Sequence, residues 1–323
     1  MNNKINFSDV NPLSNNELTI IKRKIFRTIK KKDFILGNSV NIFEKEFSKI
    51  TKINYSVGCG NGTDALVLSL MSLNLKKNDE VIVPGISYIS TGLCVILNNN
   101  KLVHADINDE TGLISIEDVL KKITKKTKVV IPVNLYGQKV DLRKLRKKIS
   151  KKIYIVEDSA QSHFAYSCYD CSKRFNQICC KRYKNDNYAD ISCYSFYPTK
   201  NLGAFGDGGL ISTNNKKIYK KLLALRNLGA TSKNHHEIIG KNSRLDTIQA
   251  VVLKEKLKSI LKFNEQRREI ARIYDEKLNS INQIKLTKTH PGATRHLYVI
   301  RTKKRDNLIK HLKSKKIMCQ IHY

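Results

Sequence analysis

From about residue 50 onward, short β-rich runs alternate with helical stretches, and that alternation leaves few architectures open. The runs are Asn54–Val57, Glu80–Val83, Leu102–Ala105, Lys128–Leu135, Ile153–Glu157, Ile191–Phe196 and Gly209–Ser212. Between them lie stretches such as Thr63–Ser72, Ser115–Lys122, Asp141–Ile149 and Lys217–Leu225, with apolar residues at helical spacing. Strands joined through helices pair in parallel, with helices covering both faces of the sheet. The expected fold is therefore α/β: a three-layer α/β/α body around a mostly parallel seven-stranded sheet. Such sheets bind ligands beyond the carboxyl ends of their strands, so the chemistry is sought where strands stop.

After Arg244 the pattern changes to long polar helices, Leu245–Leu261 and Asn264–Leu278. A strand Leu297–Thr302, a helix Asp306–Lys315 and a strand Met318–His322 follow. This divides the chain into a large domain, residues 1–250 with an N-terminal helical arm, and a smaller α+β domain, residues 251–323, which reads as incomplete.

The first strand runs through Gly58-Cys59-Gly60-Asn61-Gly62-Thr63 into an amphipathic helix. Glycines permit the tight turn, and the unpaired amides of the first helical turn, aligned with its dipole, form an anion site. The stretch lacks the Lys-Ser/Thr ending of a nucleotide P-loop, and a plain strand–helix turn would look similar. The second strand ends at Val83-Pro84-Gly85-Ile86-Ser87-Tyr88, bringing an aromatic to the same edge, as packing or as a platform for a flat ring. Next comes Val156-Glu157-Asp158-Ser159-Ala160-Gln161, where a carboxylate after a buried run either caps a helix or faces a buried cation. The fourth end, SFYPTKNLGAFGDGG from Ser195 to Gly209, delivers Ser195 and Lys200. Taken alone, Lys200 is one more solvated cation. An anion cup, a flat aromatic, a carboxylate and a lysine together match the needs of pyridoxal 5'-phosphate, whose aldehyde takes an amine, whose ring nitrogen takes an acid and whose phosphate takes amides and hydroxyls.

Charge and cysteines test other classes. Lys+Arg number 60 against Asp+Glu 28, a formal charge of +32 that raises nucleic acid as a partner. The lysines, however, are spread through every segment, and no helix-turn-helix, zinc finger or aromatic-studded basic strand accompanies them, so no nucleic-acid role is expected. Cys168, Cys171, Cys179 and Cys180 could be drawn as a zinc knuckle, but adjacent cysteines close a tetrahedral site poorly, and a reduced-thiol loop with no metal is the expectation. No apolar run approaches membrane-spanning length and the N-terminus lacks signal-peptide regions, which points to the cytoplasm.

The sequence resembles the DegT/DnrJ/EryC1/StrS group of sugar aminotransferases, enzymes of the fold-type I architecture. The likeness runs from Phe34 to Tyr323 through FILGNSVNIFEKEF, GNGTDAL, DEVIVPGISY, IPVNLYGQKVDL, VEDSAQS, SFYPTKNLGAFGDGG, GKNSRLDTIQA and IHY. The resemblance implies that Lys200 forms the Schiff base with the cofactor and shuttles protons. Asp158 would pair with the pyridine nitrogen, Tyr88 stack on the ring and Gln161 lie beside its 3-hydroxyl. Gly62, Thr63 and Ser195 would grip the phosphate, and Asn242 would reach it from a partner subunit, which implies a homodimer with shared sites. The implied reaction passes an amino group, usually from glutamate, to a keto group of a nucleotide-linked hexose. The YPTKNLGAFGDGG loop looks more like enzymes acting at a 3-keto carbon of dTDP-sugars than at a 4-keto carbon. Lys200 sets the chain apart from the related sugar dehydratases, which carry histidine there. Tyr166–Asn187 is longer and richer in cysteine than the group's usual hairpin.

Overall fold

A computed structural model describes residues 4–8, 10, 13–166 and 188–323. The cysteine-rich stretch considered above for zinc lies outside them. All seven sheet strands form: β1 Tyr55–Cys59, β2 Glu80–Pro84, β3 Lys101–Ala105, β4 Thr127–Val130, β5 Tyr154–Asp158, β6 Ile191–Ser195 and β7 Gly209–Thr213. Their order across the sheet is β1-β7-β6-β5-β4-β2-β3. β7 is antiparallel to both neighbours, and the other pairings are parallel. The carboxyl ends of β1, β2, β4, β5 and β6 therefore share one edge, and β7 begins there.

Alternation along the strands builds two cores. Val81, Val83, Val129 and Val156 face one side, where they pack with α3 (Gly62–Ser72), α4 (Ser90–Leu97) and a helix at Lys216–Leu225. Ile82, Val130 and Ile155, their immediate neighbours, face the other side against α5 (Ile116–Lys122) and α6 (Leu142–Lys148). Successive side chains of a strand point to opposite faces, so near-continuous apolar strands are what a sheet covered on both sides requires. The Lys216–Leu225 helix is α7, and three layers result. A third cluster, aromatic, lies beyond β6: Phe43 and Phe47 of α2 (Asn38–Thr51) meet Tyr194 and Phe196, and Ala250, Leu253 and Leu257 of α8 (Thr247–Leu257) close over them. The arm preceding α2 is α1, Asn15–Lys30, whose start is set by a capping box between Ser14 and Glu17.

One buried ion pair ties these parts together. Arg226 Nη1 lies 2.5 Å from Glu44 Oε1 and donates to Gly58 O at 2.9 Å, while Gly58 N donates to the same Glu44 oxygen at 2.7 Å. α2 and the end of α7 are thereby fastened to the backbone of β1 immediately before the glycine turn.

The structure departs from the expected elements in three places. The run Lys128–Leu135 stops as a strand at Val130. Pro132 has no amide to donate, and beyond it only isolated pairing remains, between Val133 and Asp158. The helical run Leu245–Leu261 breaks at Lys258–Ser259, giving α8 and then α9, Ile260–Leu278. The C-terminal strands shrink: Leu297–Thr302 contributes only Ile300–Arg301, paired with Lys285–Leu286. Met318–His322 forms none, because only an isolated bridge, at Ile317, joins it to Ile5, whose N donates to Lys316 O at 3.0 Å and whose O accepts from Met318 N at 2.9 Å. The helix between them, α10, spans Arg305–Ser314.

Candidate active site

The strand ends converge on a cavity of ≈ 1000 Å³. Its wall carries Gly62 and Thr63 after β1, Tyr88 after β2, Asp158 and Gln161 from the end of β5, and Ser195 and Lys200 from the end of β6. Of the site residues expected from sequence, only Asn242 lies elsewhere, exposed and bridged to Asn227.

At the first strand end, Asn61 caps α3 by accepting the amide of Asp64 at 2.8 Å. Gly62 follows with its backbone pressed on Ser195, where an added Cβ would lie 2.6 Å from Ser195 Cβ. Thr63 and Ser90 bond through their hydroxyls at 2.7 Å. The first-turn amides thus open onto a cup rimmed by the hydroxyls of Thr63, Ser90 and Ser195, the donor set an anion needs. Asp64 would oppose an anion, but Lys241 neutralises it at 2.6 Å.

The two carboxylates ending β5 have opposite fates because their side chains alternate. Glu157 meets Lys139 and accepts from Asn134 Nδ2 at 2.7 Å and Ser192 Oγ at 2.8 Å. Burial pushes its pKa up, yet the Lys139 charge and these bonds outweigh burial and hold it below the usual carboxylate range. Asp158 faces the cavity, where it accepts from Thr91 Oγ1 at 3.0 Å and from the amide of Ala160 at 3.1 Å. Burial dominates there and raises its pKa, only partly offset by its hydrogen bonds and by the Lys200 charge. A carboxyl that resists ionisation alone is one that gains from a cationic partner.

Lys200 sits in the loop from β6 to β7. The turn is closed by Lys200 N donating to Tyr197 O at 2.8 Å, and the loop base by Phe196 N to Gly208 O at 2.7 Å. Lys256 Nζ donates to Gly203 O at 2.8 Å from beneath. Burial lowers the Lys200 pKa while Asp158 opposes the change, and no ion pair joins the two. The structure thus leaves an amine of reduced basicity and an unpaired acid on one cavity wall. Amine, acid and phosphate-type cup are the three functions that pyridoxal phosphate requires, so the residues present fit that cofactor. Gln161 is fixed at both ends, accepting from Tyr136 N at 2.7 Å and donating to Tyr323 Oη at 2.6 Å. The Tyr88 ring, 59% exposed, stands 6.3 Å from that of Tyr323.

Sequence reasoning did not find Ser90, Asn201, Lys256, Arg267 or His296, although all but Lys256 line the cavity. Asn201 adjoins Lys200 and Ser90 stands two residues past Tyr88, so proximity could have flagged them. His296 and Arg267 come from distant segments with no local signature. Burial first, and the Lys200 charge second, keep two imidazoles neutral here: His163 is pushed down to about 3 and His296 well below the usual histidine range.

The sequence model described as the DegT/DnrJ/EryC1/StrS aminotransferase family matches residues 18–323. A UDP-N-acetyl-3-dehydro-α-D-glucosamine 3-aminotransferase of Acidithiobacillus ferrooxidans is 34% identical over 293 residues, covering 90% of this chain and 76% of the relative. A dTDP-3-amino-3,4,6-trideoxy-α-D-glucose transaminase of Streptomyces venezuelae is 34% identical over 305 residues, covering 93% and 76%. Among solved structures, S. venezuelae DesV, crystallised in complex with a ketimine intermediate, superposes with a TM-score of 0.88 at 32% identity, over 99% of this chain and 84% of that one.

Proposed function

The chain belongs to the DegT/DnrJ/EryC1/StrS aminotransferase family and is a pyridoxal-phosphate-dependent aminotransferase. On that premise we propose that it moves an amino group from an amino acid, L-glutamate, to a keto group of a nucleotide-linked hexose, a dTDP-3-keto-6-deoxyhexose, for amino-sugar or surface-polysaccharide synthesis. The observation that carries the reading is the unpaired couple of Lys200 and Asp158 on the wall of a cavity with an anion cup at α3. The names of both relatives above place their chemistry at carbon 3, which supports that position over carbon 4.

When bound, the cofactor supplies a carbonyl that takes and passes on an amine, and a ring that draws electrons from the reacting carbon. Lys200 would hold the cofactor through Nζ: its depressed pKa leaves more of it as free amine, able to condense with the carbonyl with loss of water and, when displaced, to hold and return a proton. Asp158 holds the pyridine nitrogen in its charged form, which also relieves its own desolvation. The Gly62 and Thr63 amides with the Ser195 hydroxyl would bind the phosphate, Tyr88 would hold the ring, and Gln161 would orient its 3-hydroxyl.

We assign Asn242 to the phosphate of a neighbouring copy, so the working unit is a homodimer. Apolar side chains left on the surface support this: Ile239, beside the Asn242 loop, is 90% exposed, and Ile89 and Ile96, around α4, are 71% and 59% exposed. Residues 1–250 are assigned to cofactor binding and 251–323 to the smaller domain, whose α9 lends Phe263 and Arg267 to the cavity. Among the described residues no helix is long and apolar enough to cross a membrane, which agrees with action in the cytoplasm.

Lys200→Ala tests the reading. The wild type is expected to be yellow, to be fixed to its cofactor at Lys200 by borohydride, and to aminate a dTDP-linked 3-keto hexose from glutamate. The variant is expected to lose all three. Amination of 4-keto hexoses alone, across dTDP and UDP acceptors, would overturn the assigned position, and transfer surviving in the variant would overturn the assigned lysine.

A further inference from the structure

A chain of side-chain amides behind Lys200 fixes the protonation of an imidazole in the cavity wall. Two backbone carbonyls set its direction, because a carbonyl only accepts. Asn264 Nδ2 donates to His163 O at 3.0 Å, which turns Asn264 Oδ1 toward Asn201. Asn201 Nδ2 donates to that oxygen at 2.9 Å and to Thr294 O at 3.2 Å. The remaining Asn201 atom, Oδ1, therefore faces His296 Nδ1 at 3.0 Å and can only accept from it. His296 carries its proton on Nδ1. A neutral imidazole has one N–H, so its Nε2 bears a lone pair.

His296 is 8% exposed, and what remains lines the cavity. Among the described residues no group donates to Nε2, although unpaired acceptors in dry surroundings are costly. A second proton is disfavoured by burial and by the positive charges of Lys200 and Arg267, so the ring stays an acceptor when the site is dry.

We propose that His296 is a substrate-binding residue whose Nε2 accepts a hydrogen bond from an N–H or O–H group of a bound substrate. This rests on the aminotransferase reading above. The group is either the amine of the amino donor or a hydroxyl of the nucleotide-linked sugar, and the two half-reactions separate these sources.

Two substitutions divide the imidazole into its halves. His296→Asn keeps an amide N–H where Nδ1 meets Asn201 and removes the acceptor. His296→Gln places an amide oxygen near Nε2 and gives up the bond to Asn201. The acceptor role predicts that the Asn variant binds one substrate roughly tenfold more weakly, while the Gln variant stays within about threefold of wild type. Binding is read by calorimetry with dTDP- and UDP-hexoses bearing a hydroxyl in place of the keto group. Conversion of the cofactor by glutamate is read separately by absorbance. Weakened sugar binding assigns the hydroxyl, and a slowed glutamate step assigns the amine. Loss in the Gln variant with none in the Asn variant overturns the proposal, because the ring then only braces Asn201.

The wild type gives a reading that needs no variant. In ¹⁵N spectra of histidine-labelled holoenzyme, one Nε2 signal of unprotonated type should move when glutamate or the hexose is added, and a protonated Nε2 in the free enzyme overturns the proposal. Wild-type enzyme that transfers no amine refutes the aminotransferase reading instead, which keeps the two failures apart.

Discussion

Replacing Lys256 with methionine should remove a pH dependence of stability that the fold builds beneath the Lys200 loop. Lys256 is 6% exposed, donates to Gly203 O at 2.8 Å and lies 4.9 Å from the Phe205 ring centre, with no carboxylate among the described residues to compensate it. Burial holds its pKa at about 8, against an ordinary 10.5. The folded state therefore binds this proton less tightly than the unfolded chain, so stability is penalised below the folded pKa and recovered as pH rises from there toward the unfolded one. The full penalty is roughly 3 kcal/mol, and about 2 kcal/mol of it should return between about pH 7 and about pH 9.5. Methionine has similar reach and no charge, but leaves Gly203 O without its donor, at about 1–3 kcal/mol. The two proteins should thus differ little near neutrality, with wild type ahead in alkali. Urea unfolding of both, in equal excess of cofactor, measures this. A wild-type-minus-variant difference that changes by less than about 0.5 kcal/mol between the two pH values would refute the reasoning, because other lysines titrate alike in both proteins.

Arg226→Met should cost roughly 3–5 kcal/mol in the same assay by leaving Glu44 charged and unpaired in the interior, and a cost under about 1 kcal/mol would remove the pair from the account of what fastens α2 to β1. Gly62→Ala should weaken cofactor binding at least about tenfold, followed by absorbance titration, because its Cβ would crowd Ser195; unchanged affinity would deny the cup its phosphate. Asp158→Asn should lower transamination about 10²–10⁴-fold while borohydride still fixes the cofactor to Lys200, and a rate near wild type would contradict the role given to that carboxylate.

The sheet was legible because parallel strands buried on both faces must be apolar throughout, so Val81-Ile82-Val83 or Ile155-Val156 announces itself locally. That the residues after the strands would line one cavity was legible too, since once the strands are located the residues just beyond them share an edge. The choice between capping and ion pairing for the carboxylate after β5 was not, since it depends on which face each of two adjacent residues takes, and Lys139 claims Glu157 from outside the strand. His296, Asn264 and Lys256 reach the Lys200 loop only through tertiary packing. The C-terminal strands failed as predictions because their pattern matched a sheet but their partners, Lys285–Leu286 and Ile5, offer only short stretches of edge.

Ser195 and Gly209 are partners across the last rung shared by β6 and β7, so the segment bearing Lys200 leaves the sheet and returns to it at adjacent points. Both of its anchors belong to the same ladder. Between those points Phe196, Leu202 and Ala204 sink into the aromatic cluster and Lys256 holds Gly203 O, so only the exposed members of the segment, such as Tyr197, can vary the wall around the lysine without disturbing either strand.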